Sequence, residues 1–117
     1  MPKGYAPGDI LLAGLIFTSQ TGAKRRPVMV IRDGGDDDLL VVPVTGQAAR
    51  GAYDVILGDW QQAGLRLPSV VRLEKLATIA KATVLRNLGR PSVEDWAQVK
   101  EKLSHLWAEI LAGVTHH

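Results

Sequence analysis

Along the first three quarters of the chain, apolar residues come in short runs separated by turn-forming residues. Residues 10–17 follow the turn signal Pro7-Gly8-Asp9. Residues 27–31 form a run rich in β-branched side chains, led by Pro27, and a proline suits the first position of a strand because no ladder donor is needed there. Asp33-Gly34-Gly35-Asp36 reads as a turn, so residues 39–42 are predicted to return as the second arm of a hairpin. Further strands are predicted at 53–57, 69–73, 76–79 and 83–85, with a short helical turn at 58–62. Residues 19–24 are polar and contain Gly22, so they are predicted to form a loop.

The end of the chain has a different period. Trp96, Val99, Leu103, Leu106 and Ile110 recur at alternating spacings of three and four, which is one face of a helix. Ser92 followed three residues later by Asp95 resembles a capping box, and Gly113 suits the close. Many short strands and one terminal helix predict a mainly β fold with α: a small β-barrel with a C-terminal helix packed on the sheet. The 117 residues fit a single domain spanning 1–117, with no repeat and no linker.

Composition narrows the class. The chain carries 14 Lys+Arg and 12 Asp+Glu, a net charge of only +2. Residues 3–90 hold 12 basic and 8 acidic side chains, whereas the remainder holds 2 basic and 4 acidic, so the first part is the better polyanion binder. With no cysteine, disulfides and thiolate metal sites are excluded. The N-terminus has no signal-peptide pattern and no apolar run spans a bilayer, so a cytoplasmic protein with no membrane partner is expected. No metal site is predicted, since His105 has only Glu109 at helical spacing, and no cofactor loop is present.

Three places carry candidate chemistry. Lys24, Arg25 and Arg26 are consecutive cations, and Pro27 holds Arg26 extended, a pre-positioned fork for phosphate. A solvated loop, or pairing of Arg26 with Asp33 or Glu74, fits the same residues. Thr45, between Val44 and Gly46, ends a predicted strand and offers either a phosphate donor or a turn hydroxyl. On a strand, Arg72 and Glu74 would share a face and could act as oxyanion stabiliser and proton acceptor, or simply as a surface ion pair. In an antiparallel hairpin of 27–32 with 39–44, Arg26 and Thr45 lie at the same end.

Taken in order, Gly8-Asp9, Ser19-Gln20-Thr21-Gly22, Arg26-Pro27-Val28, Pro43-Val44-Thr45-Gly46-Gln47, Gly64-Leu65 to Glu74, and Thr78-Ile79 resemble the MazF/PemK (Kid) toxin family of type II toxin–antitoxin systems, over roughly residues 7–112. The resemblance implies an SH3-like barrel with a C-terminal helix, usually a homodimer. It implies a metal-independent, sequence-selective endoribonuclease that cleaves single-stranded RNA by 2′-OH attack, leaving a 2′,3′-cyclic phosphate and a 5′-OH. Arg26 and Thr45 occupy the family's principal catalytic places, and Arg72 with Glu74 matches the acid–base pair of the Kid branch. Ser19, Gln20, Thr21, Lys24, Arg25 and Gln47 are the expected RNA contacts. The first loop lacks the Glu of several relatives, which throws weight onto Glu74 as base. A cognate antitoxin, and operator DNA bound as a toxin–antitoxin complex, are the implied partners. The alternative is a non-catalytic barrel that binds protein or DNA, such as a topoisomerase inhibitor, acting through the helix end at Trp107 to Leu111.

Overall fold

Two glycines and two aspartates, residues 34–37, make the tip of a hairpin that organises the protein. A computed structural model describes residues 4–16 and 23–113. In it Ala23–Asp33 (β2) and Asp38–Thr45 (β3) run antiparallel, with Val28 opposite Pro43 and a bulge between Val30 and Arg32. At the tip Gly35 takes a φ of 90°, while Asp33 Oδ1 accepts from Gly35 N at 2.8 Å. Asp33 also accepts from Tyr5 N and pairs with Lys81 Nζ at 3.0 Å. The Gly35 amide first, then Lys81 and the Tyr5 amide, hold this carboxyl at about 2, below its ordinary 3.8.

Ile10–Ile16 (β1) lies on the outer side of β2, and Val84–Gly89 (β7) on the outer side of β1. On its other side β3 pairs with two strands in succession. Its first half meets Ala77–Ala80 (β6), and its end, Val44 and Thr45, meets Val70–Arg72 (β5), which in turn pairs with Asp54–Ile56 (β4). The result is a seven-stranded antiparallel sheet with one C-terminal helix, as the patterning predicts. The sheet is not closed: among the described residues no ladder joins β7 to β4 or β6.

Both faces of the sheet are buried. Ile10, Met29, Val42, Val44, Val55, Val71 and Leu73 form one core beneath the helix. Leu11, Ala13, Val28, Val30, Leu39 and Val41 form a second core on the other face. Each fully buried side chain of this size stabilises the fold by about 1.5–3 kcal/mol relative to exposure.

The helix, Val93–Leu111 (α1), starts at Ser92, whose hydroxyl accepts from Asp95 N at 3.1 Å. The capping box is only half formed. Instead of reaching back to the cap, the buried Asp95 carboxylate accepts from Gly58 N at 3.0 Å and Asp59 N at 2.9 Å, pinning the helix start to the turn after β4. Val99 is buried, Trp96, Leu103 and Leu106 pack partly against the core, and Tyr53 Oη donates to Glu109. Ile110, predicted to face the core, is 56% exposed, because the last turns of α1 lie outside the cover of the sheet.

Several expected boundaries shift. Pro27 is inside β2 rather than at its start, opposite Leu12. On its other side the β2–β3 ladder has already ended at Val28, because β3 leaves to pair with β5, so the missing N–H costs no rung there. The strand expected at 69–73 stops at Arg72, and Leu73–Lys75 forms a 3-10 turn. β7 is longer than the segment read from sequence. Among the described residues no helix is long and apolar enough to cross a membrane.

Candidate active site

Lys24, Arg25 and Arg26 were expected in a loop. They stand instead on the first half of β2, exposed, opposite Leu15, Gly14 and Ala13 of β1. The ladder continues there because β1 supplies partners after β3 has turned away. The β2–β3 ladder ends at Val28 and Pro43, two residues short of Arg26 and of Thr45 on their respective strands, so both come to the same end of the hairpin. Both border one cleft of about 450 Å³ at this end of the sheet.

The cleft draws on five segments, the first being β1 through Leu12. β2 contributes Arg25, Arg26 and Pro27, and β3 contributes Val44, Thr45 and Gly46. Residues 64–69 add Arg66 and Ser69, and β7 adds Arg86 and Leu88. No acidic side chain borders it among the described residues, so its charge is entirely positive. The Thr45 hydroxyl accepts from Gln47 N at 3.1 Å. That turn contact occupies a lone pair of the oxygen and does not use the O–H hydrogen.

Gly46 allows the far wall to close in. A Cβ there would meet Leu67 Cδ1 at 2.4 Å. Gly64 is more constrained, with φ at 86° and a Cβ position only 1.9 Å from the Leu88 carbonyl oxygen. The 64–69 segment therefore rests against both the β3 end and β7, and Ser69 Oγ stiffens it by donating to Leu67 O at 2.8 Å.

Arg72 and Glu74 do not lie on one strand, since the strand ends at Arg72 and a 3-10 turn follows, but both border one smaller cleft. Arg72 is buried and points its guanidinium at Asp54 Oδ2, 2.6 Å away, and at Ala48 O, 3.1 Å away, with a longer contact of 3.4 Å to Gln47 Oε1. Asp54 Oδ2 also accepts from Arg50 N at 2.9 Å and Gly51 N at 3.2 Å. Together they brace residues 46–51, the loop that leaves Thr45. Glu74 is exposed and, with Arg50, Asp54, Arg72 and Lys75, borders a smaller cleft that shares no residue with the one at Arg26 and Thr45.

Gln47, expected to touch RNA, has its side-chain oxygen turned toward Arg72. Ser19, Gln20 and Thr21 lie outside the described residues. Arg66, Ser69 and Arg86 border the cleft without having been singled out from sequence. Only the β1–β7 pairing and the fold-back of 64–69 bring them there, and neither has a local signature. A separate, more apolar concavity lies under the exposed Trp107, between the second half of α1 and Ile31 and Leu40 of the hairpin.

Comparison with known proteins gives one concordant result. Residues 6–107 match the family described as PemK-like, MazF-like toxin of type II toxin-antitoxin system. Among solved structures, MazF from Deinococcus radiodurans is 26% identical, with a TM-score of 0.62 over 90% of this chain and 99% of that one. The Mycobacterium tuberculosis toxin MazF-mt6 is 22% identical, with a TM-score of 0.69 over 86% of this chain and 96% of that one. An endoribonuclease in complex with its cognate antitoxin, from a mycobacterial species, is 14% identical, with a TM-score of 0.70 over 90% and 96%. No curated protein matches the sequence.

Proposed function

The chain belongs to the PemK-like, MazF-like toxin family of type II toxin–antitoxin systems, and from that premise we propose that it is an endoribonuclease acting on single-stranded RNA at the cleft of Arg26 and Thr45. The observation that carries this reading is that Arg26 and Thr45 both border one cleft, which Arg25, Arg66 and Arg86 also border and no acid does among the described residues. RNA supplies its own nucleophile, the 2′-OH beside each phosphate. The protein's task is then to orient the phosphate and stabilise the charge that builds on it.

Arg26 offers a planar fork of donors that stays charged at any physiological pH, so it stabilises the phosphorane oxygens. Thr45 donates its hydroxyl to a non-bridging oxygen. Each such donor contributes about 3–4 kcal/mol to lowering the barrier. With Glu74 at a neighbouring cleft, the 2′-OH proton passes to a non-bridging phosphoryl oxygen and from there to the departing 5′-oxygen. The P–O2′ bond forms as the P–O5′ bond breaks, giving a 2′,3′-cyclic phosphate and a 5′-OH. This chemistry requires no metal or cofactor.

Binding of a small antitoxin is the second part of the proposal. It is supported by solved complexes of this fold with antitoxins, among them MazE–MazF of Deinococcus radiodurans. A homodimer in the cytoplasm, and operator DNA bound together with the antitoxin, complete it. A non-catalytic, protein-binding reading draws on the apolar concavity at Trp107.

Purified protein incubated with a long RNA of known sequence in chelator separates the readings. Cleavage with cyclic-phosphate ends, lost in Arg26→Ala and Thr45→Ala and blocked by a 2′-deoxy scissile nucleotide, is the expected result. Intact RNA would favour the protein-binding reading, and cleavage of the 2′-deoxy substrate would refute the mechanism.

A further inference from the structure

Arg66 and Arg86 take no part in the chemistry above, yet both border its cleft. Arg86 of β7 is opposite Leu12 of β1, and Leu12 is opposite Pro27 of β2. Residues opposed across a ladder present their side chains to the same face. Arg86 therefore stands at the end of an apolar row of Leu12 and Pro27, and Val44 borders the same cleft. Arg66 sits on the opposite wall, on the segment held in place by the close approaches at Gly46 and Gly64.

Arg72 pairs with Asp54, Lys81 with Asp33 and Arg90 with Asp9. Among the described residues neither the Arg66 nor the Arg86 side chain has a hydrogen bond or ion pair, and both residues are exposed. Like charges gathered around a concavity repel one another and favour an anion between them. Guanidinium forks suit phosphate in particular.

We propose that Arg66 and Arg86 form a second phosphate grip, holding the backbone phosphate next to the scissile one while the intervening nucleotide lies on Leu12, Pro27 and Val44. The proposal rests on the ribonuclease reading and deepens it. Phosphate contacts set position and carry no sequence information. The grip therefore governs how tightly RNA is held, and neither the choice of cut site nor the chemical step.

The test uses a fluorescent RNA oligonucleotide carrying a site that the wild type cuts, made uncleavable by a 2′-deoxy scissile nucleotide. Affinity is measured by anisotropy across a series of salt concentrations for wild type, Arg66→Gln, Arg86→Gln, the double variant and Arg86→Lys. Each Gln variant is expected to flatten the slope of log K against log salt by about 0.7, and the double variant by about 1.4, while Arg86→Lys keeps the wild-type slope. On cleavable RNA, KM rises in step with the lost affinity, kcat stays within about two-fold of wild type, and the cut positions do not change.

A double variant with wild-type slope and affinity, in a protein that cuts RNA, overturns the grip and leaves the ribonuclease reading standing. A fall in kcat at saturating RNA with an unchanged salt slope also overturns it, by assigning these arginines to the chemical step. Failure of the wild type to bind or cut RNA removes both.

Discussion

Asp54→Ala tests how the loop behind Thr45 is held. The Arg72 and Asp54 side chains are 8% and 9% exposed, so the pair is close to the buried limit. Removing the carboxylate leaves a guanidinium under cover, with Ala48 O at 3.1 Å and Gln47 Oε1 at 3.4 Å as its remaining acceptors. An uncompensated buried charge costs about 3–5 kcal/mol, against about 0–1 kcal/mol for breaking a surface pair. The two remaining acceptors place the expected loss at the low end, about 3 kcal/mol. Arg50 N and Gly51 N also lose an acceptor, but both residues are exposed and water replaces it. Urea unfolding followed by tryptophan fluorescence reads the loss, since Trp60 and Trp96 both pack against the core. With a slope of about 1–3 kcal/mol per molar urea, the midpoint should fall by at least about 1 M. Removing both charges in Asp54→Ala/Arg72→Met should recover most of the loss, as a coupling energy of about 2 kcal/mol or more. A midpoint moved no further than a surface pair would move it, or a double variant as unstable as the single, would refute the brace.

Three further outcomes follow from the geometry. Gly64→Ala should destabilise the protein in thermal melts by well over the roughly 1–2 kcal/mol that left-handed backbone alone costs. Its Cβ would meet the Leu88 carbonyl at 1.9 Å, whereas Gly35→Ala, at φ 90° in open space, should show only the backbone part. Equal losses would contradict the close approach. Asp33 has a folded pKa of about 2 against an ordinary 3.8, so its stabilisation is complete above the latter and is lost as pH falls from 3.8 toward 2. The stability gap between wild type and Asp33→Asn should close over that interval, and a gap independent of pH would exclude the assignment. Glu74→Gln should lower kcat by less than about ten-fold, because removing a general base costs about 10²–10⁴ and Glu74 borders a different cleft. A hundred-fold loss, with the acid limb of the pH–rate profile abolished, would make Glu74 the base.

The fold was legible where a local signal and its tertiary consequence coincide. The period of apolar residues in α1 is set by the face it buries, and the Asp33 to Asp36 turn closes a hairpin whose arms are both apolar. Pro27 was misplaced because its tolerance depends on where β3 departs from β2, a fact about a third strand. Asp95 resembled a capping residue because the motif is local. Its actual partners, Gly58 and Asp59, are more than thirty residues away.

The site divides in the same way. Arg26 and Thr45 flank one hairpin, so antiparallel pairing alone carries them to one end, and the cleft they border follows. Arg72 and Glu74 were placed together by assuming that a strand runs through them. A strand alternates faces, but a 3-10 turn advances by three residues per turn, and the change occurs between these two positions. The end of the strand therefore leaves Arg72 buried against Asp54 and Glu74 exposed, although both border one cleft. Arg86 marks the opposite limit. It lies just past the short strand read from sequence at 83–85, and its importance comes from pairing with β1, whose own partner β2 carries Arg25 and Arg26. A cationic cleft assembled across five segments has no sequence motif. What the sequence does contain is the surplus of basic over acidic residues before position 90, and the structure shows where part of that surplus is left without carboxylates around it.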